Sequence, residues 1–137
     1  MIKARILVPV MLCVIMGFGQ DNPIKIVFDV TSADVKVHES ALRHVKAMSK
    51  NYPNSDFEVV IYSGALNMVL KEKSTIAKEI ESFADNPRVN FVVCQGTMRR
   101  FKVDQTQILK GVDSVPDGIL EIVDKQSKGW GYIKEAN

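Results

Sequence analysis

The feature that most constrains this chain is a regular alternation of strand-like and helix-like segments between residues 24 and 133. Residues 24–30 and 57–62 are mainly β-branched or aromatic, and such runs favour buried strands. The segments that follow them carry apolar residues at helical spacing. This alternation predicts an α/β fold, namely a three-layer sandwich with a mostly parallel sheet of about five strands flanked by helices.

The ends of the first helices can be predicted from capping residues. Residues 31–34 can start and cap the first helix, which we expect to end near residues 51–53 because the residue before a proline resists the α region. Ser74 is a suitable cap for a second helix, whose apolar residues continue in register to Phe83.

Later elements are also indicated by local sequence. Met98 and Phe101 have the spacing of residues on the inner face of a short helix. Pro116 suits the first position of the last helix, since proline is favoured there. Residues 130–133 alternate in character and predict an edge strand that closes the sheet.

Residues 1–19 have the three-part pattern of a secretory signal. A basic start precedes an apolar run over residues 6–18, and Gly17 and Gly19 then have the spacing that signal peptidase recognises. The run is shorter than the roughly 20 residues of a bilayer span. We therefore expect cleavage after Gly19, a single domain over residues 20–137, and a periplasmic or secreted location. The alternative is an uncleaved anchor or an N-terminal core strand.

Cleavage would change both the charge and the cysteine content. It removes Lys3 and Arg5, so the 18 basic residues fall to 16 and equal the 16 acidic ones. A neutral mature chain argues against a nucleic-acid or membrane-surface partner held by net charge. Cleavage also removes Cys13, so Cys94 would have no intramolecular disulfide partner. Its thiol is then buried and inert, paired between chains, or a working group.

The carboxyl ends of the predicted strands are the expected place for a ligand, since ligands of open parallel sheets bind there. Four segments leave these ends, at residues 31–34, 63–65, 94–97 and 115–118. Chain order alone brings Ser63, Gly64 and Cys94 into one neighbourhood.

Cys94 stands at the end of an apolar strand, and Gly96, Thr97 and two arginines follow it at once. Backbone N–H groups at a helix start, together with Arg99 and Arg100, would favour the thiolate and lower the thiol pKa. The thiolate is the form that attacks sulfur or carbon. The alternative is that Cys94 is a small buried core residue.

No metal-ligand spacing and no glycine-rich phosphate loop occurs in the sequence, so neither a metal nor a cofactor is expected. His38 and His44 both fall on the first helix, six residues apart and on different faces. We expect both to be structural or surface residues. A cysteine–histidine hydrolase is therefore not indicated, because it needs a histidine that faces Cys94.

Three segments in the second half resemble the DsrE/DsrF-like family, with the closest similarity to its exported branch. They are CQGTM at residues 94–98, VPDGILEIV at 115–123 and QSKGWGYIK at 126–134. The likeness extends from about residue 24 to residue 134. The resemblance implies a parallel-sheet α/β fold, assembly into trimers or hexamers, and a cysteine that carries sulfur as a persulfide, which corresponds to Cys94. The exported relatives often have His-Gly where this chain has Ser63–Gly64, so the resemblance implies no histidine at this position to give Cys94 acid–base assistance.

The first hypothesis is therefore an exported sulfur carrier or sulfurtransferase-like protein. Cys94 would accept sulfur from a sulfane-sulfur donor and pass it to an acceptor thiol protein. Residues expected to bind the substrate are Ser63, Gly64, Gln95, Gly96, Thr97 and Arg99. One alternative is a non-enzymatic homo-oligomeric binding or assembly subunit in which Cys94 is structural. Another is a thiol redox sensor that forms an intermolecular disulfide.

Overall fold

A computed structural model describes residues 22–136, so the predicted signal segment, its cleavage site and Cys13 lie outside the described residues. In chain order the elements are β1 (Lys25–Val30), α1 (Val35–Asn51), β2 (Asp56–Ile61), a 3₁₀ helix (Ser63–Val69), α2 (Ala77–Glu81), β3 (Val89–Cys94), α3 (Gln95–Arg100), a short 3₁₀ turn (Gln105–Gln107), β4 (Val112–Val115), α4 (Gly118–Ser127) and β5 (Gly131–Glu135).

The five strands form one sheet in the order β4-β3-β2-β1-β5, and every pairing in it is parallel. This confirms the predicted α/β fold. The segment predicted as an edge strand is β5, which among the described strands pairs with β1 alone. Since every strand points the same way, all five carboxyl ends lie along one edge of the sheet.

The two faces of the sheet are covered unequally. On one face Phe28, Val59 and Phe91 belong to a large core that includes apolar residues of α1. On the other face a small cluster forms around Val27, Val60 and Val92, and Ile122 of α4 packs against it. The three layers are therefore present, and α4 is the helix that contributes buried apolar contacts to the smaller core.

The outer side of α4 is apolar and exposed. Ile119, Leu120 and Val123 are 59%, 65% and 54% exposed. This helix begins at Gly118, so the prediction of Pro116 at its first position is wrong. The reason is that the Asp117 side chain accepts hydrogen bonds from two N–H groups of the first turn and thereby forms the N-cap.

Two other helix predictions are wrong in extent. The helix after Ser74 begins at Ala77 and ends at Glu81, so Phe83 lies beyond it. Phe101 is 50% exposed because α3 ends at Arg100 and the chain leaves the core there, whereas Met98 is buried as predicted. The prediction for α1 is confirmed: Asp34 caps it and Asn51 ends it.

A buried ion pair joins α4 to the central strand. Glu58 is 3% exposed, and its Oε2 atom accepts a 2.7 Å hydrogen bond from Nζ of Lys125. The other oxygen, Oε1, has no hydrogen-bond partner among the described residues. Nζ of Lys125 also lies 3.5 Å from Glu121 and 4.5 Å from the ring centroid of Trp130. Burial raises the pKa of Glu58, and the nearby Lys125 opposes this only partly.

This raised pKa predicts a pH-dependent stability. A carboxyl group that binds its proton more tightly in the folded chain stabilises the fold at acid pH, and this contribution is lost as the pH rises through the folded pKa. We expect the slope of unfolding free energy against pH, from about pH 4.5 upwards, to be less negative in Glu58→Gln than in the wild type. Denaturant unfolding across this range measures it, with Glu72→Gln, at an exposed carboxyl, as control. Equal slopes in wild type and Glu58→Gln would contradict the prediction.

Candidate functional site

A pocket of about 330 Å³ opens at the carboxyl edge of the sheet, on the face that α4 covers. Its lining residues are Tyr62, Ser63, Cys94, Gly96, Thr97, Arg100, Asp117 and Ile119. They come from the ends of β2 and β3, from both ends of the short helix α3 and from the start of α4. Cys94 lies at this face because it is two residues beyond the buried Val92 on the same strand.

The environment of Cys94 favours the thiolate. The residue is 8% exposed, and burial alone would raise the pKa of the thiol. Backbone N–H groups of Gly118, Thr97 and Gly96 and the hydroxyl of Thr97 donate hydrogen bonds to the sulfur, and together they lower the pKa below its ordinary value. The thiol is thus shielded from bulk water yet lies on the wall of an open pocket.

Thr97 links the sulfur to the turn after β2. Its Oγ1 atom accepts a 2.9 Å hydrogen bond from the backbone N–H of Ser63, so its own proton is available to Cys94. Ser63 adopts a positive φ of 56°, which is uncommon for a residue with a side chain. Ser63 therefore affects the thiol through its backbone N–H group, which donates to Thr97.

Gly118 allows α4 to approach the thiol closely. A Cβ atom at this position would lie 3.3 Å from Cβ of Cys94 and 3.3 Å from Cδ1 of Tyr62. Both contacts are tighter than ordinary van der Waals spacing. The absence of a side chain therefore lets the backbone of Gly118 pack close to Cys94.

The structure brings some of the predicted binding residues together with Cys94 and directs others away. Ser63, Gly96 and Thr97 line the pocket. Gln95 instead donates a 3.0 Å hydrogen bond to Ser114 on β4.

The other two predicted residues lie beside the pocket lining. Gly64 packs against the turn after β1, where a Cβ atom would lie 3.0 Å from the carbonyl oxygen of Thr31. Arg99 has a guanidinium nitrogen 3.8 Å from the Cβ position of Gly96, whereas the neighbouring Arg100 lines the pocket.

Tyr62, Asp117 and Ile119 line the pocket but were not among the predicted site residues. Asp117 and Ile119 lie in or next to the segment at residues 115–118, which was identified as leaving a strand end. Tyr62 was assigned to a strand, and only the position of the strand end shows that its side chain reaches the pocket. A sequence signal was thus available for the position of Asp117 and Ile119, though not for their contacts.

Both histidines have structural partners outside this pocket. Nε2 of the buried His38 lies 2.7 Å from the carbonyl oxygen of Ser32, and Nδ1 of His44 lies 2.9 Å from Oε1 of Glu135. Among residues 22–136, no group of three or more metal-ligating side chains occurs. In the same range, no helix combines the length and the apolar character that a membrane span requires.

Removal of the Thr97 hydroxyl should raise the pKa of Cys94. Thr97→Val keeps the shape of the side chain but loses the hydrogen bond to the sulfur, which contributes most when the sulfur is charged. We expect the profile of alkylation rate against pH to shift to higher pH. The rate is that of Cys94 in the folded protein, and it is followed in the peptide that contains Cys94. Thr106→Val, which changes an exposed threonine elsewhere, is the matched control. An unchanged profile in Thr97→Val would show that the hydroxyl does not act on the thiolate.

Comparison with known proteins yields a family and a structural relative. Residues 25–134 match the sequence model of the DsrE/DsrF-like family. The chain is also similar to the solved structure of MTH1491, a protein of unknown function from Methanobacterium thermoautotrophicum. The identity is 27% and the TM-score 0.75, over 81% of this chain and 98% of the other. No curated protein sequence matches the chain.

Proposed function

Since this chain belongs to the DsrE/DsrF-like family, whose membership indicates a function related to sulfur relay, we propose that it is a sulfur carrier or sulfurtransferase-like protein. Cys94 is the sulfur acceptor. The observation that carries the proposal is the environment of its sulfur, which belongs to a residue of the pocket lining and interacts with the N–H groups of Gly118, Thr97 and Gly96 and with the Thr97 hydroxyl. These donors favour an anionic sulfur, which is the form that attacks the sulfur donor.

The proposed reaction needs no external oxidant or reductant. The Cys94 thiolate attacks the outer sulfur of a donor R–S–S–H, a new S–S bond forms, and the donor S–S bond breaks. The leaving thiolate R–S⁻ takes the electron pair, and Cys94 holds the transferred sulfur as –S–S–H. An acceptor thiolate then attacks this outer sulfur and releases Cys94 as a thiolate. Thiosulfate would react in the same way, with sulfite as the leaving group.

The rival function is that of a non-enzymatic assembly subunit with a structural cysteine. The low exposure of Cys94 and the exposed apolar side of α4 are the observations that favour it. Titration of the thiol separates the two functions. A carrier should be alkylated at Cys94 in the folded state, with a profile that shows a thiolate well below the free-cysteine pKa of about 8.5. A thiol that is protected until the chain unfolds would support the structural role.

The partners of the proposed carrier are a sulfane-sulfur donor and an acceptor thiol protein. We also propose that the chain is exported, which the signal-like pattern of residues 1–19 supports, and that it works in the periplasm or outside the cell. Expression in a bacterium followed by fractionation and N-terminal sequencing tests this. A mature chain that begins at Gln20 in the exported fraction is expected, and an intact Met1 in the cytoplasmic fraction would contradict it.

A homo-oligomer, trimer or hexamer, is the proposed assembly, and the exposed apolar side of α4 is the surface that supports it. We expect Leu120→Glu to dissociate the oligomer, because it would place a charge at the most exposed apolar position of α4. Light scattering after size-exclusion chromatography measures the mass. Tyr52→Glu adds the same charge at an exposed aromatic residue at the end of α1 and should leave the mass unchanged. A monomeric wild type would refute this assembly.

A further inference from the structure

Asp29 provides a buried carboxylate at the same end of the sheet as Cys94 and on the same face. Asp29 is 5% exposed and stands two residues after Val27, whose side chain belongs to the core under α4. Its carboxylate accepts a 2.6 Å hydrogen bond from the Tyr132 hydroxyl and a 3.1 Å hydrogen bond from Nζ of Lys134. Two donors from the edge strand β5 therefore satisfy this charge.

Tyr62 lies between this carboxylate and the thiol. It lines the Cys94 pocket, and Nζ of Lys134 is 5.9 Å from its ring centroid. Burial, then the negative charge of Asp29 and hydrogen bonding to it, raise the pKa of Tyr62 to about 12, with smaller effects from Cys94 and Asp117. The phenol is protonated at physiological pH, as an ordinary tyrosine is, and its hydroxyl is a hydrogen-bond donor.

The proposed transfer needs a donor that the groups around Cys94 do not supply. In displacement at sulfur, the leaving sulfur lies on the far side of the transferred atom from the attacking one, so it must sit further out in the pocket. Besides Thr97, whose hydroxyl already serves the Cys94 sulfur, the side-chain donors of the pocket lining are Tyr62, Ser63 and Arg100. Ser63 and Arg100 are exposed, whereas Tyr62 is partly buried and its ring packs against the start of α4, where a Cβ atom on Gly118 would lie 3.3 Å from its Cδ1 atom.

We propose that the Tyr62 hydroxyl donates a hydrogen bond to the leaving thiolate during sulfur transfer to Cys94, which makes it a second catalytic residue of the proposed reaction. The inference rests on the proposed function. The bond acts in the transition state, where charge develops on that sulfur.

The test compares Tyr62→Phe with wild type in loading of Cys94 from two donors, glutathione persulfide and thiosulfate. The first releases a basic thiolate and the second releases weakly basic sulfite, so a hydrogen bond to the leaving group matters more for the first. We expect Tyr62→Phe to load about tenfold more slowly from the persulfide, the effect of one hydrogen bond to a charged group. Loading from thiosulfate should be nearly unchanged, and so should alkylation of Cys94 by iodoacetamide.

Tyr132→Phe is the matched control. It also removes a phenol hydroxyl that interacts with Asp29, but Tyr132 does not line the pocket, so its loading rates should equal those of the wild type. The inference is overturned if Tyr62→Phe loads from the persulfide at the wild-type rate. It is also overturned if both variants are slowed alike with both donors, since the role of Tyr62 is then structural. If wild-type Cys94 takes sulfur from neither donor, the proposed function itself fails.

Discussion

Cys94→Ser is expected to abolish sulfur transfer from a persulfide donor to an acceptor thiol. A serine hydroxyl remains protonated near neutral pH and cannot hold sulfur as a persulfide. The hydrogen-bond donors around the site have no anionic sulfur to stabilise in this variant. Activity should therefore fall to the uncatalysed rate, in an assay that follows both consumption of the donor and appearance of the acceptor persulfide.

The fold of this variant should be preserved, because serine is similar in size to cysteine and the site already supplies polar partners. Circular dichroism and thermal unfolding are the checks. Cys13 remains in the full-length Cys94→Ser chain and provides an internal control for nonspecific thiol reactivity. Full transfer activity in Cys94→Ser, or sulfur found on Cys13 instead, would contradict the assignment of Cys94.

Gly111→Ala is expected to produce the largest loss of stability among single methyl additions at the described glycines. Gly111 has a φ of 80°, and a Cβ atom there would lie 2.5 Å from Cβ and 2.7 Å from Cα of Ala84. The left-handed backbone costs about 1–2 kcal/mol for an alanine, and the overlap costs about 1–3 kcal/mol more. The melting temperature of a domain of this size should fall by roughly 10–25 °C.

Gly129→Ala separates the two contributions. Gly129 has a similar φ of 85°, but no atom of residues 22–136 lies within 4 Å of its Cβ position. It should therefore lose only the backbone contribution of about 1–2 kcal/mol. Gly111 immediately precedes β4, and the chain after β4 carries the Gly118 N–H to the thiol. Equal stability of the two variants would show that the contact between a methyl group at position 111 and Ala84 does not destabilise the fold.

The fold could be predicted from sequence because its signals are local. Residues 24–30 and 57–62 are β-branched or aromatic, and Asp34 caps the helix between them. The start of α4 was misplaced by two residues, since Pro116 and Asp117 are both suitable for helix starts and only geometry decides between them. The exposure of Ile119 could not be predicted either, because the apolar residues of α4 are not confined to one face of the helix.

The site could be predicted only where chain order was sufficient. The sequence placed Ser63 beside Cys94, and the hydrogen bond from Ser63 to Thr97 joins their two loops. The contact of Asp29 with Tyr132 depends on the position of β5 next to β1, which no local pattern reveals. Tyr62 could not be identified as a pocket residue because local sequence includes it in the strand, whereas β2 ends at Ile61.

The central claim, that Cys94 carries sulfur, is tested most directly by peptide-resolved mass spectrometry of the folded protein after incubation with a persulfide donor. The account predicts that the Cys94 peptide gains the mass of one sulfur atom and loses it when an acceptor thiol is added. A Cys94 peptide of unchanged mass, with a thiol that reacts only after unfolding, would contradict the account and assign Cys94 to the core.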